Sequence, residues 1–230
     1  MKISIAIPIY NEAQHVDEVI RRVLAVPLPP DVQKEVIVVD DGSTDGTAAN
    51  LEKLKGSINF YHLTHDENLG KGAAVRTAIE KASGDILVIQ DCDLEYDVND
   101  YPRLLAPFLE ESADVVYGSR FLGRIENMRF RFRLANYLLR WTANILYGAH
   151  ITDEATAYKL FRMEVLKSLN LRSNRFDICP ELTAKVLKRG YRIREVPINY
   201  KARTAFEGKK IGWRDAVSAF WALLRYRFTN

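Results

Sequence analysis

Three carboxylates stand at alternate positions in Gln90-Asp91-Cys92-Asp93-Leu94-Glu95, directly after the apolar run Ile86-Leu87-Val88-Ile89. Acids this close repel one another and raise one another's pKa unless a divalent cation neutralises them. A strand that ends in such residues sets them at the carboxyl edge of a sheet, where open α/β folds bind their ligands. The string reads as a metal site holding a phosphorylated donor. Cys92, between two of the acids, is expected to point to the opposite face and pack there without chemistry.

A second strand-like run ends the same way, in Val38-Val39-Asp40-Asp41-Gly42-Ser43-Thr44-Asp45-Gly46-Thr47. Asp, Gly, Ser and Thr are ordinary turn residues, and Asp45 or Thr47 would serve as a helix N-cap. Two adjacent acids exceed what one cap requires, and Asp40 and Asp41 could accept hydrogen bonds from ribose hydroxyls or a base N–H. A third piece, Asn68-Leu69-Gly70-Lys71-Gly72-Ala73, flanks a lysine with glycines at a helix start. Backbone N–H groups and an ammonium could approach a phosphate there; alternatively it is a plain helix start with a solvated lysine. The chain has no G-x-G-x-x-G and no G-x-x-x-x-G-K-[ST], which argues against a dehydrogenase or a P-loop enzyme.

The elements that must carry these residues alternate through the first half. Strand-like runs at 3–9, 36–39, 58–63, 86–90 and 115–118 are separated by helical periods at 11–26, 47–54, 70–82 and 101–109. Buried parallel strands joined by helices are the simplest account, so the expected fold is α/β. After Gly118 the alternation fails, leaving two amphipathic stretches and one β-like segment, Ile193–Ile198. The expectation is a single domain over 1–230, with donor binding in 1–120 and an acceptor-side elaboration in 121–230.

With 230 residues and 47% hydrophobic content, the chain can bury a full core, and a net charge of +3 implies no general polyanion-binding surface. Two cysteines offer neither zinc spacing nor a disulfide framework, and the four histidines are scattered. Met1-Lys2 runs straight into the first strand with no room for a signal peptide, and no apolar run approaches the ~20 residues of a membrane span. These features point to a cytoplasmic protein, at most peripheral on the inner face of the membrane.

Taken in order, Pro8-x-Tyr10-Asn11-Glu12, Val39-Asp40-Asp41-Gly42-Ser43-x-Asp45-Gly46-Thr47, Asn68-x-Gly70-Lys71-Gly72 and Asp91-x-Asp93 resemble glycosyltransferase family 2. Gly118-Ser119-Arg120, Thr152-Asp153-x-x-Thr156-x-Tyr158-Lys159 and Arg189-Gly190-Tyr191-x-Ile193-x-Glu195-Val196-Pro197 extend the likeness over nearly the whole chain, toward the dolichyl- and polyprenyl-phosphate sugar synthases and related bacterial enzymes. The resemblance implies a GT-A fold, a Rossmann-like and mostly parallel sheet, with a nucleotide-sugar donor, Mg²⁺ or Mn²⁺, and inversion at the anomeric carbon. It implies that Pro8, Tyr10, Glu12 and Asp41 line the nucleoside pocket, that Asp91 meets the donor's sugar or ribose, and that Asp93 with Glu95 holds the cation; Asp40 and Lys71, from their own motifs, complete the expected nucleotide-sugar-binding set. Those synthases often carry glutamine at the last position, so Glu95 departs from the pattern and adds charge. Arg203 with Lys209 or Lys210, in a late glycine-containing loop, would contact phosphates, as would Arg120.

A cation held by carboxylates stabilises a departing diphosphate without transferring a proton. If the acceptor is a hydroxyl, a carboxylate base should help; if it is a phosphate oxygen, already anionic, none is needed. Asp153, Asp177 and Glu181 are the candidate bases, the last two equally suited to stabilising the start of their own helix. Asp153 resembles a position near the acceptor, so the expected catalytic set is Asp91, Asp93, Asp153 and Arg203. The acceptor expected is a polyprenyl phosphate, with a glycan or glycolipid hydroxyl as the alternative. A homologue that keeps the pocket without turnover is the non-enzymatic alternative, and the intact acids argue against it.

From Met128 to Ile151 there is no acid, while Arg129, Arg131, Arg133 and Arg140 interleave with apolar residues, of which Leu134, Leu138, Trp141 and Ile145 share one helical face. Trp213, Val217, Phe220, Trp221, Leu224 and Phe228 do likewise near the C-terminus. Basic helices bearing tryptophans suit an anionic membrane surface; they suit equally well a core-packing role with solvated arginines. No nucleic-acid partner is expected, since the net charge is small and no binding motif is present.

Overall fold

The computed structural model describes residues 1–203 and 213–229. Strands β1 (Lys2–Ile9), β2 (Gln33–Asp40), β3 (Tyr61–Thr64), β4 (Ile86–Ile89), β5 (Val115–Glu126), β6 (Lys159–Arg162) and β7 (Ile193–Lys201) form one sheet in the order β3-β2-β1-β4-β6-β5-β7. Pairing is parallel throughout except at β6, which runs antiparallel to both β4 and β5. The chain winds outward from β1 to β3 and then returns to the other side of β1 as β4. This reversal opens a crevice between the carboxyl ends of β1 and β4.

Alternation along the strands divides the core between the two faces of the sheet. Ile3, Ile5, Ile7 and Ile9 pack on one side against α1 (Val16–Ala25), α2 (Thr47–Lys55) and α4 (Tyr101–Glu110). Ala6, Ile37, Val39, Leu87 and Ile89 pack on the other against α3 (Lys71–Lys81), α6 (Met163–Ser168) and α7 (Ile178–Lys188). A polar staple closes the amino edge. The Glu35 carboxylate accepts from Lys2 Nζ at 2.8 Å, Ser4 Oγ at 2.6 Å and the Ser83 N–H at 3.0 Å. Burial opposes that charge, but these donors hold the Glu35 pKa down at about 2.

Helix α5 (Phe130–Tyr147) and helix α8 (Trp213–Phe228) pack together over α7 through Leu139, Ala143, Ala184, Ala219, Ala222 and Leu223. The stripe singled out on α5 is not the face that packs. Leu134, Leu138 and Trp141 are about half exposed and Ile145 is 81% exposed. On α8 Val217, Phe220, Trp221 and Phe228 are likewise exposed. No helix among the described residues is long and apolar enough to cross a membrane.

The expected alternation holds through β5, with three corrections. Residues 58–60 lie outside β3, which begins at Tyr61; α1 begins at Val16, after a turn through Asn11 at φ 52°; and β5 continues to Glu126 beyond the expected end at Gly118. The second half also contributes β6, which the sequence pattern did not mark.

Candidate functional site

A cavity of about 430 Å³ opens at the carboxyl edge of the sheet, over the crevice between β1 and β4. Pro8, Tyr10 and Glu12 reach it from the end of β1, Asp41 from β2, Asn68, Gly70 and Lys71 from the start of α3, and Asp91, Asp93 and Glu95 from the end of β4. Arg175 and Phe176 enter from before α7, and Arg203 from just after β7. Residues far apart in sequence thus meet because every parallel strand ends on this edge.

The end of β4 is held from behind. Tyr101 and Tyr158 hydroxyls donate to Gln90 Oε1 at 2.6 and 2.8 Å, and the Gln90 amide donates to the Asp91 carbonyl at 2.8 Å. Leu94 sits at φ 57°, a conformation uncommon for a residue with a Cβ, and this turn lets Asp93 and Glu95 line the same cavity. Cys92 is buried in the core, but it does not turn wholly to the opposite face as expected: it also borders the cavity between Asp91 and Asp93.

Asp91 is paired with Lys71, whose Nζ lies 2.5 Å from Oδ1. Burial disfavours that ammonium, but the Asp91 charge outweighs it and keeps the Lys71 pKa above its ordinary value. Lys71 is therefore not the solvated lysine of a plain helix start. The flanking glycines serve packing. A Cβ on Gly70 would lie 2.4 Å from the Asn174 carbonyl, where φ is already +101°, and one on Gly72 would lie 2.4 Å from that of Ser173. The N–H groups of Leu69 and Gly70 point at the Asp41 carboxylate, at 3.0 and 2.7 Å. His65 Nδ1 meets the same carboxylate at 2.7 Å, which gives that histidine a structural role. The anion at this helix start is thus the protein's own aspartate.

Asp93 is partly buried in the cavity and crowded by like charge. Desolvation in the cavity, together with the Asp91 and Glu95 charges, pushes its pKa up to about 7, with Arg203 pulling the other way. Glu95 uses both oxygens to hold the end of β7: Oε1 accepts the Arg203 N–H at 2.7 Å and Oε2 the Tyr200 hydroxyl at 2.5 Å. The Arg203 guanidinium lies among three acids, 3.3 Å from Asp93, 3.6 Å from Glu12 and 3.9 Å from Glu95. Among the described residues no three His, Cys, Asp or Glu side chains converge to hold an ion. Mg²⁺ seldom asks for that, taking one or two carboxylates and completing its shell with substrate phosphates and water. The cavity lining carries five carboxylates and three cationic side chains, a deficit of two positive charges that fits one divalent ion.

Asp40, Arg120 and Asp153 do not join this lining. Asp40 is buried and Oδ1 accepts the Ser43 N–H at 3.0 Å. Arg120 and Asp153 are buried against each other, Nε to Oδ2 at 2.7 Å and Nη2 to Oδ1 at 2.8 Å, with the guanidinium 5.0 Å from the Tyr200 ring centre. The Asp153 N–H is in turn gripped by Glu195 at 3.0 Å. Asp177 accepts the Arg175 N–H at 3.1 Å, and the buried Glu181 accepts those of Arg172 and Ser173 while pairing with Lys185 at 2.7 Å. Lys209 and Lys210 lie outside the described residues.

Arg175 and Phe176 are the cavity's unanticipated members, and Tyr200 bears on it through its bond to Glu95. Each comes from an element flank that reads as an ordinary helix start or strand end, and only the topology brings it here.

Residues 4–169 match the family model described as glycosyl transferase family 2. The dodecaprenyl-phosphate galacturonate synthase of Rhizobium johnstonii is 28% identical over 88% of this chain and 60% of its own length. The UDP-N-acetylglucosamine–dolichyl-phosphate N-acetylglucosaminyltransferase of Methanococcus voltae is 28% identical over 85% of this chain and 84% of its own. Among solved structures, glucosyl-3-phosphoglycerate synthase from Mycobacterium tuberculosis, in complex with Mn²⁺, UDP and phosphoglyceric acid, superposes with a TM-score of 0.76 at 20% identity, over 100% of this chain and 79% of that one. Another structure of that synthase holds Mg²⁺ and UDP. At that identity the likeness establishes the fold, a GT-A-like sheet flanked by helices.

Proposed function

The chain belongs to glycosyltransferase family 2, enzymes that transfer a sugar from a nucleotide-sugar donor, and from that premise we propose that its acceptor is a polyprenyl phosphate and that a divalent cation assists at the donor's diphosphate. The observation that carries the donor site is the convergence of Asp41, Asp91, Asp93, Lys71 and Arg203 on one cavity at the β1–β4 crevice. Tyr10, Glu12 and Asp41 stand where the nucleoside would lie, and Asp91, fixed by Lys71, faces the sugar side. Asp93, assisted by Glu95, would hold Mg²⁺ or Mn²⁺, which when bound neutralises charge on the departing diphosphate. Arg203 supplies a planar fork suited to the same oxygens.

The three acids first considered as bases are each committed to a structural bond, Asp153 to Arg120, Asp177 to the Arg175 N–H and Glu181 to Lys185. This favours an acceptor that needs no base, such as a phosphate monoester, attacking from the face opposite the leaving group. The names of the two relatives above point the same way, since each acts on a lipid phosphate. The exposed apolar and basic faces of α5 and α8 suit a lipid surface beside the acceptor side.

The test is thermal stability with GDP-, UDP- and TDP-sugars, each with and without Mn²⁺, followed by nucleoside-diphosphate release with and without a polyprenyl phosphate. A metal-dependent shift with one base, and release that requires the lipid, is the expected result. Release with glycan hydroxyls alone would replace the acceptor. No shift with any donor would favour a pocket without turnover. Asp93→Asn should abolish metal-dependent release while leaving the melting temperature within a few degrees of wild type.

A further inference from the structure

We infer that Arg203 is the resident counter-ion of the acidic cavity, occupying by itself the place the divalent cation needs and yielding it only when a diphosphate arrives to receive the guanidinium. The inference deepens the donor-site reading and rests on it for the second half of that exchange.

The position is built by the backbone. Glu95 Oε1 accepts the Arg203 N–H at 2.7 Å, which fixes the residue at the mouth of the cavity, and the side chain then reaches inward to Glu12, Asp93 and Glu95. The contacts it makes there are loose. Its approach to Asp93 Oδ2 is 3.3 Å, the other two are 3.6 and 3.9 Å, and its Nε is buried with no hydrogen-bond partner. Charge-assisted pairs with good geometry sit near 2.7–2.9 Å. Arg120 meets Asp153 in that range, at 2.7 and 2.8 Å. Arg203 is therefore held by field and not by fit, which suits a group that must leave.

A divalent cation competes with the guanidinium for Asp93. Carboxylate oxygens bind Mg²⁺ at about 2.1 Å, so an ion on Asp93 Oδ2 would lie at most about 5.4 Å from the guanidinium nitrogen bonded to that oxygen, with little solvent between them. Like charges at that separation in a recessed site disfavour each other strongly. A diphosphate resolves the conflict by offering the guanidinium a better planar partner and the cation its remaining ligands. Metal and nucleotide binding should then be cooperative through Arg203.

The experiment is Mn²⁺ binding followed by the paramagnetic signal of the free ion, on wild type, Arg203→Gln and Arg203→Lys, each alone and with UDP or GDP. Wild type should bind Mn²⁺ weakly alone and at least tenfold more tightly with the nucleotide that fits. Arg203→Gln should bind Mn²⁺ alone at least tenfold more tightly than wild type and gain much less from nucleotide. Arg203→Lys, which keeps the charge, should stay within about threefold of wild type without nucleotide. Arg203→Met, which preserves the stem's packing, replaces the glutamine variant if that one fails to fold by circular dichroism. Equal or weaker Mn²⁺ binding in the charge-removing variant overturns the counter-ion role. Tighter metal binding there, with no response of wild type to either nucleotide, keeps the counter-ion role and removes the nucleotide-sugar reading instead.

Discussion

A guanidinium buried as deeply as Arg120 would be prohibitive alone, and the bidentate Asp153 removes that cost while Tyr200 covers the face. Cutting one member of such a pair leaves an uncompensated buried charge, worth about 3–5 kcal/mol. Asp153→Asn is accordingly expected to lower the urea midpoint sharply, and the double change Arg120→Met with Asp153→Leu should recover most of the loss. An Asp153→Asn protein of normal stability with no turnover would return Asp153 to the chemistry. Most acids of the cavity were legible in the sequence because Asp41 and Asp91-x-Asp93-x-Glu95 stand in local strings at strand ends, although Asp40 of the first string lies outside the lining. What each acid touches was not legible. Lys71 finds Asp91, and Tyr200 and Arg203 find Glu95, across separations that no spacing rule encodes.

The same limit appears among the elements. Continuous apolar runs revealed β1, β2 and β4, and the 3.6-residue period revealed α1 and α4. Strand β6 hid because it is only four residues long and begins with a lysine. Lys159 is completely buried, its ammonium 3.7 Å from the centre of the Tyr117 ring and bonded to the Glu154 carbonyl. Pairing with neighbours on both sides, not local propensity, makes that segment a strand. Two tests belong here. In Gly72→Ala the new methyl would meet the Ser173 carbonyl, and the rigid backbone on both sides should cost about 1–3 kcal/mol in chemical denaturation. Glu35 provides a pH signature. Its folded pKa of about 2 lies below the ordinary 4.5, so its contribution is full above that ordinary value and is lost as pH falls through 2. The stability gap between wild type and Glu35→Gln, read from denaturant midpoints, should be widest near pH 6 and close as pH falls toward 2.

At the scale of the molecule, the sheet gathers every donor-side residue on one edge, while α5 and α8 turn apolar and cationic side chains outward together. With a net charge of only +3, any attraction to a lipid surface would have to come from this local face and not from the whole protein. Sedimentation with anionic vesicles should be strong at low salt, fall several-fold at 0.5 M salt, and weaken in Trp141→Ala and Trp221→Ala; equal binding to neutral vesicles in all variants would remove the electrostatic part of this account. The antiparallel β6 bears on how the chain is made. Strands β1 to β4 can pair as they leave the ribosome, but the outer edge of β4 has no neighbour until residues 159–162 are synthesised. At ~5–20 residues per second, that open edge persists for roughly 3–14 seconds on every nascent chain. An unpaired hydrophobic strand edge is a template for wrong partners. The same insertion that completes the sheet makes the protein's yield sensitive to translation speed between residues 90 and 158, and slowing that stretch should increase aggregation while leaving the stability of the finished molecule untouched.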